Sequence, residues 1–187
     1  IFYGQSGLGI YGTDNLFGFD AIKGRNFRYM ANTILNAGYL QFDNQVSEKV
    51  RMVWGLRVED FDQLVGSVKV WDPRHTYSKV TDYLPGINTT IKLNQTSNLR
   101  ITASQSVIRP ELRELSFLNI FDFELNASVQ GNPNLKRTKI SNTDIRYELY
   151  PGSGEVFTAG VFYKNFENAI EQIFSEGSGG ASTFSYQ

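Results

Sequence analysis

Val50-Arg51-Met52-Val53-Trp54-Gly55-Leu56-Arg57-Val58-Glu59 is the stretch from which the rest of the chain can be read. Val50, Met52, Trp54, Leu56 and Val58 take every second position, with Arg51, Arg57 and Glu59 between them. Successive side chains of a β-strand point to opposite faces, so this spacing makes one apolar and one charged face. The same period recurs on both sides of the stretch. Leu40 and Phe42 oppose Tyr39, Gln41 and Asp43, while Ile87, Thr89, Ile91 and Leu93 alternate with Asn88, Thr90 and Lys92. Leu99, Ile101, Ala103 and Val107 alternate with Arg100, Thr102, Ser104 and Ser106. Ile145, Tyr147 and Leu149 oppose Asp144, Arg146 and Glu148, and Phe157, Ala159, Val161 and Tyr163 share a face that Phe162 leaves. Helical periodicity is almost absent.

The connections order these six strands. Tight turns are expected at Gln45 to Glu48, Asn94 to Ser97 and Pro151 to Gly154; long loops are expected at about 61–81, 108–139 and 167–187. Short and long connections alternate, which predicts an all-β, antiparallel up-and-down meander with its large loops at one end. Pro73, Pro110, Pro133 and Pro151 fall in connections, and Pro85 is placed near a strand start, where a missing N–H is tolerated.

Composition narrows the class. The chain has 187 residues, 41% of them hydrophobic, no cysteine and a net charge of −1. The neutral balance argues against nucleic acid as a partner, and the lack of cysteine removes disulfides, thiolate metal sites and cysteine nucleophiles. No run is long and apolar enough for a transmembrane helix, but a β-barrel presents its apolar surface on alternate residues and escapes that test. Period alone leaves a soluble sandwich and a membrane barrel both open. Three features favour the barrel: strands of about ten residues, polar faces carrying both signs of charge, and aromatics near strand ends. Those aromatics are Tyr39, Phe42, Phe61, Tyr83, Tyr150, Phe157, Tyr163 and Phe166, placed like interfacial girdles. The chain opens at Ile1 and stops in what looks like a new strand, so residues 1–187 read as a partial β-barrel domain of a longer polypeptide.

A second signal lies in the order of short motifs. Ser106-Val107-Ile108-Arg109-Pro110-Glu111-Leu112-Arg113-Glu114-Leu115 is followed by Phe121-Asp122-Phe123-Glu124 and Gly131-Asn132-Pro133-Asn134-Leu135-Lys136. Asp144-Ile145-Arg146-Tyr147-Glu148 and Phe162-Tyr163-Lys164-Asn165-Phe166 continue the series. From about Asp82 to Phe174 the chain resembles the barrel region of TonB-dependent outer-membrane receptors, particularly those of the Bacteroidota type. The resemblance implies about six strands of a 22-stranded transmembrane barrel, with short turns toward the periplasm and long loops outside. It also implies a plug domain and a coupling box elsewhere in the polypeptide, through which the TonB energy-coupling complex acts. Outer-membrane lipid and a small-molecule, sugar or peptide ligand are the other partners implied.

Candidate site residues follow from this frame. In the 108–139 loop, Arg109, Arg113, Phe121, Asp122, Phe123 and Glu124 are candidates for ligand contact, since guanidinium groups and exposed aromatics suit chelates, sugars or peptides. The plainer reading of Arg109-Pro110 and Gly131-Asn132-Pro133 is that they fold the loop against the barrel rim. Pro110, with leucines at 112, 115 and 118, predicts a short helix or helical turn. Arg51, Arg57, Glu59, Asp144, Arg146 and Glu148, with Lys92 and Arg100, are expected to face the lumen and to pair with one another or with a plug. Catalytic, cofactor and metal sites are not expected. Gly7-Leu8-Gly9-Ile10-Tyr11-Gly12 lacks the strand–turn–helix context of a dinucleotide fingerprint. His75 stands alone in its loop, Asp60 and Asp62 read as a solvated strand end, and 175–182 reads as a flexible outer loop. The function expected is ligand capture and import of a scarce nutrient (iron chelate, cobalamin, oligosaccharide or peptide). A soluble secreted all-β binding module and a passive porin are the alternatives.

Overall fold

The computed structural model describes residues 30–176 and 182–187, together with the backbone of three short strands before them. Those three, β1 (Phe2–Tyr3), β2 (Gly7–Leu8) and β3 (Leu16–Phe19), form a small sheet in the order β1-β3-β2. Most of the Gly7–Gly12 motif, and residues 177–181 of the Gly/Ser stretch, lie outside the described residues.

The main sheet holds the six expected strands: β4 (Met30–Ser47), β5 (Val50–Gly66), β6 (Thr76–Lys92), β7 (Ser97–Ile108), β10 (Thr138–Leu149) and β11 (Phe157–Glu167). Between β7 and β10 comes a hairpin of β8 (Asn119–Asp122) and β9 (Ala127–Gln130); β12 (Gln172–Glu176) and β13 (Ser182–Tyr186) follow β11. The six long strands lie in the order β11-β10-β7-β6-β5-β4, each antiparallel to its neighbours, so the sheet is the meander that the alternating connections predict.

Register carries one face through all six strands, because residues directly opposite in an antiparallel ladder point the same way. Phe42 opposes Trp54, Trp54 opposes Ile87, Ile87 opposes Ala103, and Ile101 opposes Ile145, which opposes Val161. The Phe42 and Trp54 rings stack at 4.8 Å. This continuous apolar face is solvent-accessible along its length: Leu40, Trp54, Ile145 and Val161 are all exposed. A soluble sheet would cover such a surface with a second layer, whereas a barrel wall leaves it to lipid.

The strands are longer than their alternating stretches. Opposed pairs run from Val50↔Ile91 to Val65↔Thr76, so the expected 61–81 loop shrinks to 67–75. The reason is visible in the outward positions. Past Val58 they are Asp60, Asp62 and Leu64, so the apolar signal stops where lipid stops while the backbone ladder continues. Pro85 likewise lies within β6, not near its start: it opposes Leu56 on β5, and the β6–β7 ladder begins only at Gly86↔Ser104. Proline has no N–H to give a neighbour, so it marks where that ladder stops. Parity also corrects the aromatic girdle. Phe42, Tyr83, Phe157 and Tyr163 share the apolar face, whereas Tyr39, Phe61 and Phe166 share the register of Arg57, Glu59 and Ile140 on the opposite face.

The two faces generate a direct test. A charge at mid-strand on the lipid face costs about 2–4 kcal/mol, but little on the lumen side. Ile101→Arg is therefore expected to lower stability by that amount in urea unfolding of the lipid-reconstituted protein, and its neighbour Thr102→Arg by less than about 1 kcal/mol.

Candidate functional site

Above Gly86 the wall divides into two leaves. β4, β5 and β6 stay laddered together, as do β7, β10 and β11, but β6 and β7 exchange no further backbone pairs. Side chains close the gap. Glu59 on β5 and Asp82 on β6 are directly opposed on the inner face, 6% and 4% exposed. Two full charges at the ~5 Å spacing of a cross-strand pair repel by about 3 kcal/mol at an effective dielectric near 20, so the pair requires cations.

Two of the three cations come from the other leaf, and the third, Arg57, from β5 itself. Arg109, just beyond β7, donates from Nη1 to Glu59 and from Nη2 to Asp82, both at 2.7 Å. Arg137, just before β10, pairs with Asp82 at 2.8 Å, and Arg57 donates to Glu59 at 2.6 Å. The Arg109 guanidinium also lies 4.6 Å from the Phe61 ring centroid, a cation–π contact that partial burial strengthens. Gln63 donates its side-chain N–H to the Pro110 carbonyl at 3.3 Å. The first turn of the 109–137 loop is thereby drawn down onto the inner face.

The loop continues as a single helical turn and not a helix. Leu115 N–H donates to Glu111 O and Ser116 N–H to Arg113 O, with Leu115 buried against the wall. Gly131 returns the chain beneath this turn; a Cβ there would run into the carbonyl oxygens of Ser116, Arg113 and Glu114. Asn132 then binds two segments, accepting from Asn134 N–H and donating to Tyr186 O, both at 2.9 Å. β13 runs parallel to β9, giving an outer four-stranded sheet in the order β12-β13-β9-β8. The loops after β7 and after β11 are thus one structure.

The candidate residues separate into distinct places. Arg109 is in the ion cluster, whereas Arg113 is exposed on the helical turn. Phe121 and Phe123 meet edge-to-face at 5.2 Å on the β8–β9 hairpin, with Phe123 87% exposed. Asp122 accepts from Glu124 and Leu125 N–H and so shapes the hairpin turn, with Glu124 exposed. Arg51, Arg57, Glu59, Asp144, Arg146 and Glu148 all fall on the inner face, as do Lys92 and Arg100. Arg51 pairs with Asp43, Arg100 with Glu148, and Arg146 more loosely with Asp144 at 3.7 Å. Asp82 and Arg137 are the cluster members that sequence reading missed; extending the parity of Asn88 and Thr90 back along β6 points Asp82 inward. Asp60 and Asp62 accept hydrogen bonds from Thr81 and Tyr77. The His75 ring donates from Nδ1 to Ser67 O at 2.7 Å and serves to close its loop.

Comparison with known proteins places this architecture. A model of the outer membrane protein beta-barrel family matches residues 10–187. The chain belongs to that family. It is accordingly a stretch of barrel wall in the cell outer membrane, with its apolar face against lipid. The siderophore receptor PirA from Pseudomonas aeruginosa, a crystal structure, is similar with a TM-score of 0.51 at 11% identity, over 84% of this chain and 37% of that one. At that identity the likeness is one of fold, and the chain spans little more than a third of that receptor's length. A search of curated proteins found no match.

Two outcomes follow for this outer-membrane chain. Arg109→Ala removes the one guanidinium that bridges Glu59 and Asp82, leaving Arg57 and Arg137 as their remaining partners, and is expected to cost about 3 kcal/mol in urea unfolding, the lower end for removal of one member of a buried ion cluster. In the 67–75 loop, the Arg74 side chain and then its backbone N–H hold the Asp72 carboxyl well below the usual aspartate range. The folded form binds its proton more weakly than the unfolded form. The contribution is therefore fully present above an ordinary aspartate pKa of ~3.9 and is lost as pH falls through the lower folded value. Trp71 emission, read in a Trp54→Phe background, is expected to hold constant from neutral pH to below ~4, and the acid transition to vanish in Asp72→Asn.

Proposed function

We propose that this chain forms wall strands and outer loops of a receptor that captures a scarce nutrient at the cell surface and passes it through the outer membrane. The observation that carries the reading is the 109–137 loop, which is anchored on the lumen face and holds an exposed aromatic pair on a braced hairpin. A loop held rigidly against the inner face and presenting exposed aromatics suits capture of a ligand by a fixed platform. Membership of an outer-membrane barrel family and fold likeness to a siderophore receptor support the same reading. On this reading Phe121, Phe123, Glu124 and Arg113 contact ligand from one side, and the chain carries out no chemistry on it. The TonB-dependent resemblance adds energy coupling from the inner membrane through a plug, and the ligand class is an iron chelate, cobalamin, oligosaccharide or peptide.

Growth of cells limited in turn for iron, cobalamin, oligosaccharide or peptide tests this. Deletion of the gene is expected to abolish growth on one of these sources, and Phe121→Ala/Phe123→Ala to weaken ligand binding about tenfold at unchanged outer-membrane abundance. Uptake that persists when the inner-membrane proton gradient is collapsed would instead identify a passive pore.

A further inference from the structure

We propose that the cavity between the two leaves of the wall is a binding site for a small anion presenting carboxylate or phosphate oxygens. The cavity, about 390 Å3, is bounded by the upper ends of β5 and β6 on one side and by Lys139 and Glu167 at the top of β10 and β11 on the other; the 109–137 loop lies between them. That volume falls within the ~300–1,000 Å3 of ordinary small-molecule sites.

Its charge is unbalanced. Arg109, Lys136, Arg137 and Lys139 line it against one carboxylate, Glu167. The carboxylates of the neighbouring ion cluster do not restore neutrality, because Glu59 and Asp82 are shared among three guanidinium groups, those of Arg57, Arg109 and Arg137. Lys136 and Lys139 are exposed at the rim of the cavity, and neither side chain has an ion-pair or hydrogen-bond partner among the described residues. Arg109 Nε is buried without an acceptor although both of its terminal nitrogens are engaged. A buried charged donor left unpaired is costly, and an anion in the cavity supplies what is missing. Thr76 and Ser78 add hydroxyl donors from the β6 side. A neutral ligand would satisfy the hydroxyls and leave the cationic excess untouched, so charge selects the class.

The site stands independently of import, since it requires only the wall and the 109–137 loop. The test uses full-length protein extracted from outer membranes in detergent, titrated calorimetrically with citrate, inorganic phosphate and, as a neutral control, sorbitol. Saturable binding of citrate or phosphate is expected, with none of sorbitol. Lys136→Ala/Lys139→Ala is expected to weaken it about tenfold at unchanged thermal unfolding, and Glu167→Gln to tighten it. Phosphatidylglycerol and phosphatidylcholine in mixed micelles separate the sources. Competition by the anionic lipid alone supports a headgroup site, and its absence beside citrate binding supports a soluble anion. No saturable anion binding at millimolar concentration, equal binding of sorbitol, or an affinity indifferent to the lysine substitutions would overturn the proposal.

Discussion

Backbone N–H and C=O groups inside a bilayer have no water to turn to, so each strand of a membrane wall must find its partners in the next strand. Most of this molecule obeys that constraint through uninterrupted ladders, and its informative feature is the place where one ladder stops. Below Gly86, β6 and β7 are stitched together; at Pro85 the chain lacks a donor, and the two strands part. The interruption lies near the level at which the outward residues of β5 cease to be apolar, after Val58, where water can begin to satisfy backbone groups.

Closing the upper gap by charge instead of by ladder has consequences that backbone pairing would not have. A ladder extends the wall straight upward. Arg109 reaches from the end of β7 to carboxylates on β5 and β6 and turns the chain inward, so the loop it opens lies against the lumen face. Burying Glu59 and Asp82 opposite each other is unfavourable alone, and the guanidinium groups make the arrangement stable only while the two leaves stay together. The cluster is thus both a clamp and a specifier of loop position, the role for which buried ion networks are best suited. Everything further out depends on it. Gly131 and Asn132 tie the returning strand to the first turn, and the parallel β9–β13 pairing ties the second loop to the first.

Much of the wall was legible from one ten-residue stretch. The parity of Val50 to Glu59 propagates through register to all six strands, and the charges expected to face inward share the face opposite the apolar one. Strand length was not legible beyond Val58, because an outward Asp60 or Asp62 in water looks the same in a strand as in a loop. The candidate site was legible only in pieces. Arg109 and Glu59 each drew notice, in a loop and in a lumen respectively, yet nothing local links residues fifty positions apart. Asp82 and Arg137 gave weaker signals still, since a single charge beside a strand end is ordinary.

By itself the sequence determined which side chains share a face and in what order the strands run, because alternation and turn spacing act between near neighbours along the chain. Tertiary structure decided where the ladders end, which opposite charges meet and how the outer loops are joined. Those outcomes depend on register between distant strands, and register is a property of the assembled sheet that no segment carries alone.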